Sequence, residues 1–65
     1  MDRALKVREI IKFLEKDGWY LLRTRGSHRQ YKHPSKKGKV TVSGKPNDDL
    51  GSDTLNSIYK QGGYK

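Results

Sequence analysis

Cysteine is absent from this chain of 65 residues, which excludes disulfide bridges, thiolate metal sites and a thiol nucleophile. A chain this short forms one domain, residues 1–65, near the size at which a single core is only just self-supporting. Without the disulfides of a small secreted fold, a reducing cytoplasm is the expected location. Apolar residues are also scarce, at 31%. Their longest runs fall far short of the ~20 residues that span a bilayer, and the N-terminus lacks the apolar centre of a signal peptide. No membrane role is expected. So little material cannot enclose a large active site, and any chemistry is expected on an open face.

The most informative absence is regional. Residues 23–45 contain no acidic side chain but eight basic ones, whereas residues 1–22 carry five basic and four acidic groups and residues 46–65 two basic and three acidic. The whole net charge of +8 therefore sits in the middle third. A focused field of one sign attracts polyanions and raises association rates, and nucleic acid is the commonest such partner.

From Ala4 to Lys16 the apolar residues Val7, Ile10, Ile11 and Leu14 fall on one helical stripe. Asp17-Gly18 closes this helix, with Gly18 suited to a left-handed position just past its end. "WYLLRT" reads as a strand, Gly26-Ser27 as a hairpin turn and "HRQYKH" as the returning strand. Pro34 stops it, and "KVTVS" has the β-branched alternation of a third strand. Gly44–Gly51 is a loop by composition; a last helix then starts at a Gly51 or Ser52 cap, carries Leu55, Ile58 and Tyr59 on one stripe, and ends at Gly62-Gly63. The expected fold is α+β, with a three-stranded antiparallel sheet and two helices on one of its faces.

Strand alternation places Tyr31, Val40 and Val42 toward the core. His28, Gln30 and Lys32 then point outward beside Lys39, Thr41 and Ser43. The first strand is ambiguous, since Trp19 and Leu21 compete with Tyr20 and Leu22, and a bulge there would shift the register. RNA cleavage by its own 2′-hydroxyl needs only a group titrating near neutrality and cations for the phosphate charge. Histidine is the side chain with such a titration range. His28 is the candidate catalytic residue, with simple contact to RNA or an inert surface position as the alternatives these residues leave open, and the chemistry requires no metal or other cofactor. His33, of inward parity beside Pro34, has the weaker claim. Two histidines five residues apart with no nearby carboxylate provide too few ligands for a metal site. Asp48-Asp49 reads as loop solvation, a turn cap or a brake on the basic face, since an acid–base dyad needs a desolvating pocket. Trp19, Tyr20, Tyr31 and Tyr59 are at positions that mostly suggest core, and not base-stacking platforms.

Beyond these local readings, "GWYLLRTRGSHRQYKHP", "GKVTV" and "DDLGSDTLNSIYKQGGYK" resemble the successive motifs of the HicA toxins, small mRNA interferases of bacterial toxin–antitoxin pairs. The likeness runs from "KVREIIKFLEKDGW" to the C-terminus, and Gly26-Ser27-His28 is its most specific part. It implies a fold like that of double-stranded-RNA-binding domains, an endoribonuclease activity dependent on His28, no cofactor, mRNA as substrate, and neutralisation of a monomeric toxin by a HicB-like antitoxin. The RNA-binding set expected around His28 is Arg25, Gly26, Ser27, Arg29, Lys32, Lys36, Lys37, Lys39 and Lys45. Lys45 stands where some relatives carry a second histidine, which leaves His28 without an evident histidine partner. The competing expectations are a non-catalytic RNA-binding module and a basic face that receives an acidic protein.

Overall fold

The computed structural model describes residues 5–65. The elements run α1 (Val7–Lys16), β1 (Tyr20–Arg25), β2 (His28–Lys32), β3 (Val40–Ser43) and α2 (Ser52–Gln61). The strands form one antiparallel sheet in the order β1-β2-β3. Ala4, expected in the first helix, lies outside the described residues. Among them, no helix is long and apolar enough to cross a membrane.

The apolar stripe of α1 folds inward as its spacing requires: Val7, Ile10 and Leu14 are buried and Ile11 is half-buried. They meet Tyr31 from β2, Val40 and Val42 from β3, and Ile58 from α2, with Trp19 and Leu50 completing one core. The first N–H groups of α1 have no intrahelical acceptor. The Val7 and Arg8 amides donate instead to the carbonyls of Asp48 (2.9 Å) and Pro46 (3.0 Å), and the Lys6 amide donates to the Glu9 carboxylate at 2.9 Å. The loop after β3 is thereby pinned to the start of α1. Asp48 also caps its own turn, accepting the Lys45 amide at 2.9 Å, and Asp49 pairs with Lys6 at 2.7 Å. Of the roles expected for the two aspartates, turn capping is realised by Asp48, whereas the pairing of Asp49 with Lys6 was not among them. Neither engages a basic residue of the sheet's outer face.

Both helices end alike. At α1 the Gly18 amide donates to the Glu15 carbonyl and the Trp19 amide to the Leu14 carbonyl, each at 3.0 Å. At α2 the Gly63 amide donates to Lys60 (3.2 Å) and the Tyr64 amide to Tyr59 (2.8 Å). These are two Schellman motifs, with Gly18 at φ +104° and Gly63 at φ +81°. Each delivers an aromatic residue into the fold, and the Trp19 indole N–H donates to the Tyr64 hydroxyl at 2.9 Å. Tyr64 packs on Phe13 and Tyr59 with ring centroids 5.1 Å and 6.2 Å away. The two helix ends are thus clasped together.

The ambiguity of the first strand is resolved by a bulge and an overhang. Register shifts between Leu21 and Arg23, so that Tyr20 pairs with Lys32, Leu21 with Tyr31, Arg23 with Gln30 and Arg25 with His28. Both helices pack against β3, and β1, at the far edge, is exposed along its whole length. Only Trp19, just before the strand, reaches the core, at 2% exposure, whereas Tyr20 and Leu21 are about half exposed at 49% and 50%.

Candidate nucleic-acid interface

The hairpin joining β1 and β2 has the two-residue loop Gly26-Ser27 between the paired Arg25 and His28. Gly26 is at φ +58°, the first central position of a II′ turn, whose twist matches that of the flanking strands. A side chain at Gly26 would meet nothing within 4 Å, so the tip of the hairpin is open to a docking backbone. The Gly44 amide donates to the Ser27 carbonyl at 3.2 Å, and the Arg29 guanidinium donates to the Gly44 carbonyl at 2.8 Å. The end of β3 is therefore bound to the hairpin on both sides of one residue. His28 faces Ser43 across the ladder, and Lys45 follows in the adjoining loop.

The outer face carries His28, Gln30 and Lys32 from β2 with Thr41 and Ser43 opposite, as strand alternation predicts. Through the register of β1 it also receives Tyr20, Arg23 and Arg25. Arg23 was not among the expected binding residues; the bulge at Leu22 sets it on the same outward face as Arg25. The only cue was the pair of equally apolar registers in "WYLLRT". Among the four aromatic residues weighed for stacking, Trp19 and Tyr31 are core and Tyr59 is half-buried; Tyr20 alone is exposed, opposite Lys32.

The basic residues separate into two groups. Arg23, Arg25, Lys32, Lys37, Lys39 and Lys45 are exposed, and none of them forms an ion pair among the described residues, where the pairs are Lys6 with Asp49 and Lys36 with Asp17. Arg29 and Lys36 stand apart. Arg29 has the parity of Tyr31 and is spent on the Gly44 carbonyl. Lys36 is half-buried, pairs with the Asp17 carboxylate at 2.7 Å and lies 4.1 Å from the centre of the Tyr64 ring. Hydrogen bonds from Lys36, and next from the Tyr64 hydroxyl, hold the Asp17 carboxyl below the usual carboxylate range, and the same bond to Asp17 raises Lys36.

The two histidines occupy opposite situations. His33 Nε2 lies 2.6 Å from the Asp17 carbonyl oxygen, an acceptor, and therefore carries the proton. Its Nδ1 accepts the backbone N–H groups of Ser35 (3.1 Å) and Lys36 (3.2 Å), and its ring sits edge-on to Trp19 at 5.2 Å. Both nitrogens are committed to holding the β2–β3 loop on the end of α1. The His28 imidazole is exposed and makes no hydrogen bond among the described residues. Its ring nitrogens are open to a docked group. No three His, Cys, Asp or Glu side chains among the described residues come together in a way that could hold a metal ion.

A family model for the HicA toxin of bacterial toxin–antitoxin systems matches residues 7–64. The chain belongs to the HicA toxin family. It is the toxin of a toxin–antitoxin pair, and that class of protein has an antitoxin partner. No curated protein matches the chain. Within this HicA toxin the matched residues take in both helices and the whole sheet, including the His28 face.

Proposed function

We propose that this HicA-family toxin is an endoribonuclease that cleaves mRNA with His28 and needs no metal, blocking translation until a HicB-like antitoxin covers the same face. The observation that carries the reading is the contrast between the histidines: His33 has both ring nitrogens engaged, whereas His28 is unengaged at the edge of an uncompensated basic surface. In the proposed reaction the neutral imidazole of His28 takes the proton of a ribose 2′-hydroxyl. The 2′-oxygen attacks the adjacent phosphorus, the bond to the 5′-oxygen breaks, and solvent water protonates that oxygen at this open site. The products are a 2′,3′-cyclic phosphate and a 5′-hydroxyl. Arg25 and Lys32, and Lys45 from the loop beyond Ser43, stabilise charge on the pentacoordinate phosphate, where preorganised cations act most strongly. Arg23, Lys37 and Lys39 extend the field along the RNA backbone.

A fold like that of double-stranded-RNA-binding domains, which the family resemblance implies, would suit recognition through backbone geometry and the 2′-hydroxyl. The test is expression of the wild type and His28→Ala, followed by incubation of each purified protein with RNA in EDTA. Growth arrest and cyclic-phosphate ends are expected from the wild type alone. Equal cleavage by the substituted protein refutes the assignment of His28, and binding without products from the wild type establishes the non-catalytic module instead.

A further inference from the structure

Between the open edge of β3 and α2 runs a solvent-open groove of about 360 Å³. Thr41 and Ser43 line one wall, Asp53, Ser57 and Gln61 the other, and Ile58 the floor. Its mouth adjoins the candidate catalytic histidine, because Ser43 is the cross-strand partner of His28 and Thr41 that of Gln30. Directly opposed residues of a ladder have Cβ atoms about 4.5–5.5 Å apart. A nucleotide whose phosphate lies at His28 would therefore have its neighbouring ribose and base at this groove.

The chemistry of the groove differs from that of the surface beside it. Hydroxyls and an amide replace the cations, and the one charged group, Asp53, forms no ion pair or hydrogen bond among the described residues. A free carboxylate repels phosphate but offers two acceptor oxygens side by side. Guanine is the RNA base whose Watson–Crick edge presents two adjacent N–H donors, N1–H and the N2 amino group. Adenine and cytosine present one amino group beside an acceptor, and uracil one N–H between two carbonyls. Unstacked bases of single-stranded RNA are read through such edges.

An added peptide strand is the competing occupant of an open sheet edge. Here the Thr41 N–H that such a strand would need is already taken by Gln61 Oε1 at 2.9 Å. The Gln61 amide is held in turn by donation to the Ser57 hydroxyl at 3.2 Å. An added strand would have to displace Gln61, whereas the groove beside the edge is open.

We propose that this groove is a subsite for one unstacked guanine nucleotide adjoining the scissile phosphate, with Asp53 reading the base. The proposal rests on the assignment of RNA to the His28 face. It is tested by titrating the full chain, labelled for amide NMR, with GMP, AMP, CMP and UMP in turn. GMP is expected to shift the amides of Ser43 and Ser57 at about tenfold lower concentration than the other three, the discrimination of one bidentate base contact. Asp53→Asn, an exposed change checked by an otherwise unaltered spectrum, is expected to abolish that preference. Equal responses to all four nucleotides, silent groove amides, or a preference that survives Asp53→Asn each overturn the proposal. Because the titration needs no turnover, it decides the subsite whether or not the wild type cleaves RNA in the separate assay.

Discussion

Replacing Gly18 by alanine tests the clasp that holds the basic loop in place. Gly18 sits at φ +104°, a conformation that disfavours L side chains by roughly 1–3 kcal/mol. The added Cβ would also lie 2.9 Å from His33 Nε2. The ring cannot retreat freely, because that same nitrogen is bound to the Asp17 carbonyl at 2.6 Å. Relieving the contact gives up a hydrogen bond contributing about 0.5–1.5 kcal/mol. The expected loss is then about 2–4 kcal/mol, set against roughly 3–10 kcal/mol for a domain of 65 residues. With about 4–8 °C of melting temperature per kcal/mol at this size, the drop is on the order of 10–25 °C. Urea unfolding followed by circular dichroism measures it directly. A double-mutant cycle separates its two causes: in a His33→Ala background the steric part vanishes and only the backbone part remains, giving a coupling of about 1 kcal/mol. A loss below about 1 kcal/mol, or strictly additive effects, would refute the reasoning.

Exchanging the roles of the histidines gives a second expectation. His28→Ala is expected to abolish cleavage and change stability by less than about 0.5 kcal/mol, whereas His33→Ala is expected to lower the urea midpoint while the remaining folded protein still cleaves RNA; the reverse pattern sinks the assignment. For Asp17, whose folded carboxyl titrates below its unfolded value, the stabilisation is present above the unfolded carboxylate pKa of about 3.9 and is lost as pH falls through the lower folded value. The stability gap between wild type and Asp17→Asn should accordingly be constant near neutrality and shrink as pH falls below about 4; a gap that does not shrink on acidification contradicts the linkage. For RNA affinity, neutralising Arg25 should reduce the slope of log affinity against log salt by about 0.7–0.9. Neutralising Lys36, already paired with Asp17, should change it far less, and equal effects would show that the pair opens on binding.

Much of the architecture was legible because it rests on short-range periodicity. The stripe Val7, Ile10, Leu14 and the alternation Tyr31, Val40, Val42 are local patterns, and each residue is buried as its pattern requires. The outward placement of His28 follows from the parity of Tyr31 alone. The first strand escaped the same argument for two reasons: the bulge between Leu21 and Arg23 breaks its parity, and the helices do not cover it. Burial cannot be read from a strand that no helix covers, however apolar its residues.

The amino-acid sequence by itself determined the element order, the inward residues of the helices and inner strands, the uncompensated charge of residues 23–45 and the outward direction of His28. Each depends on neighbours within a few positions. Only the tertiary structure decided which cations are free, because Arg29 and Lys36 are taken up by Gly44 and Asp17, 15 and 19 residues away. It alone fixed His33 as a structural residue bound to Asp17, 16 positions earlier, and set Asp53 in a groove whose other wall is β3. Hydrogen bonds across such separations exist only once the chain has closed, so no window of sequence contains them.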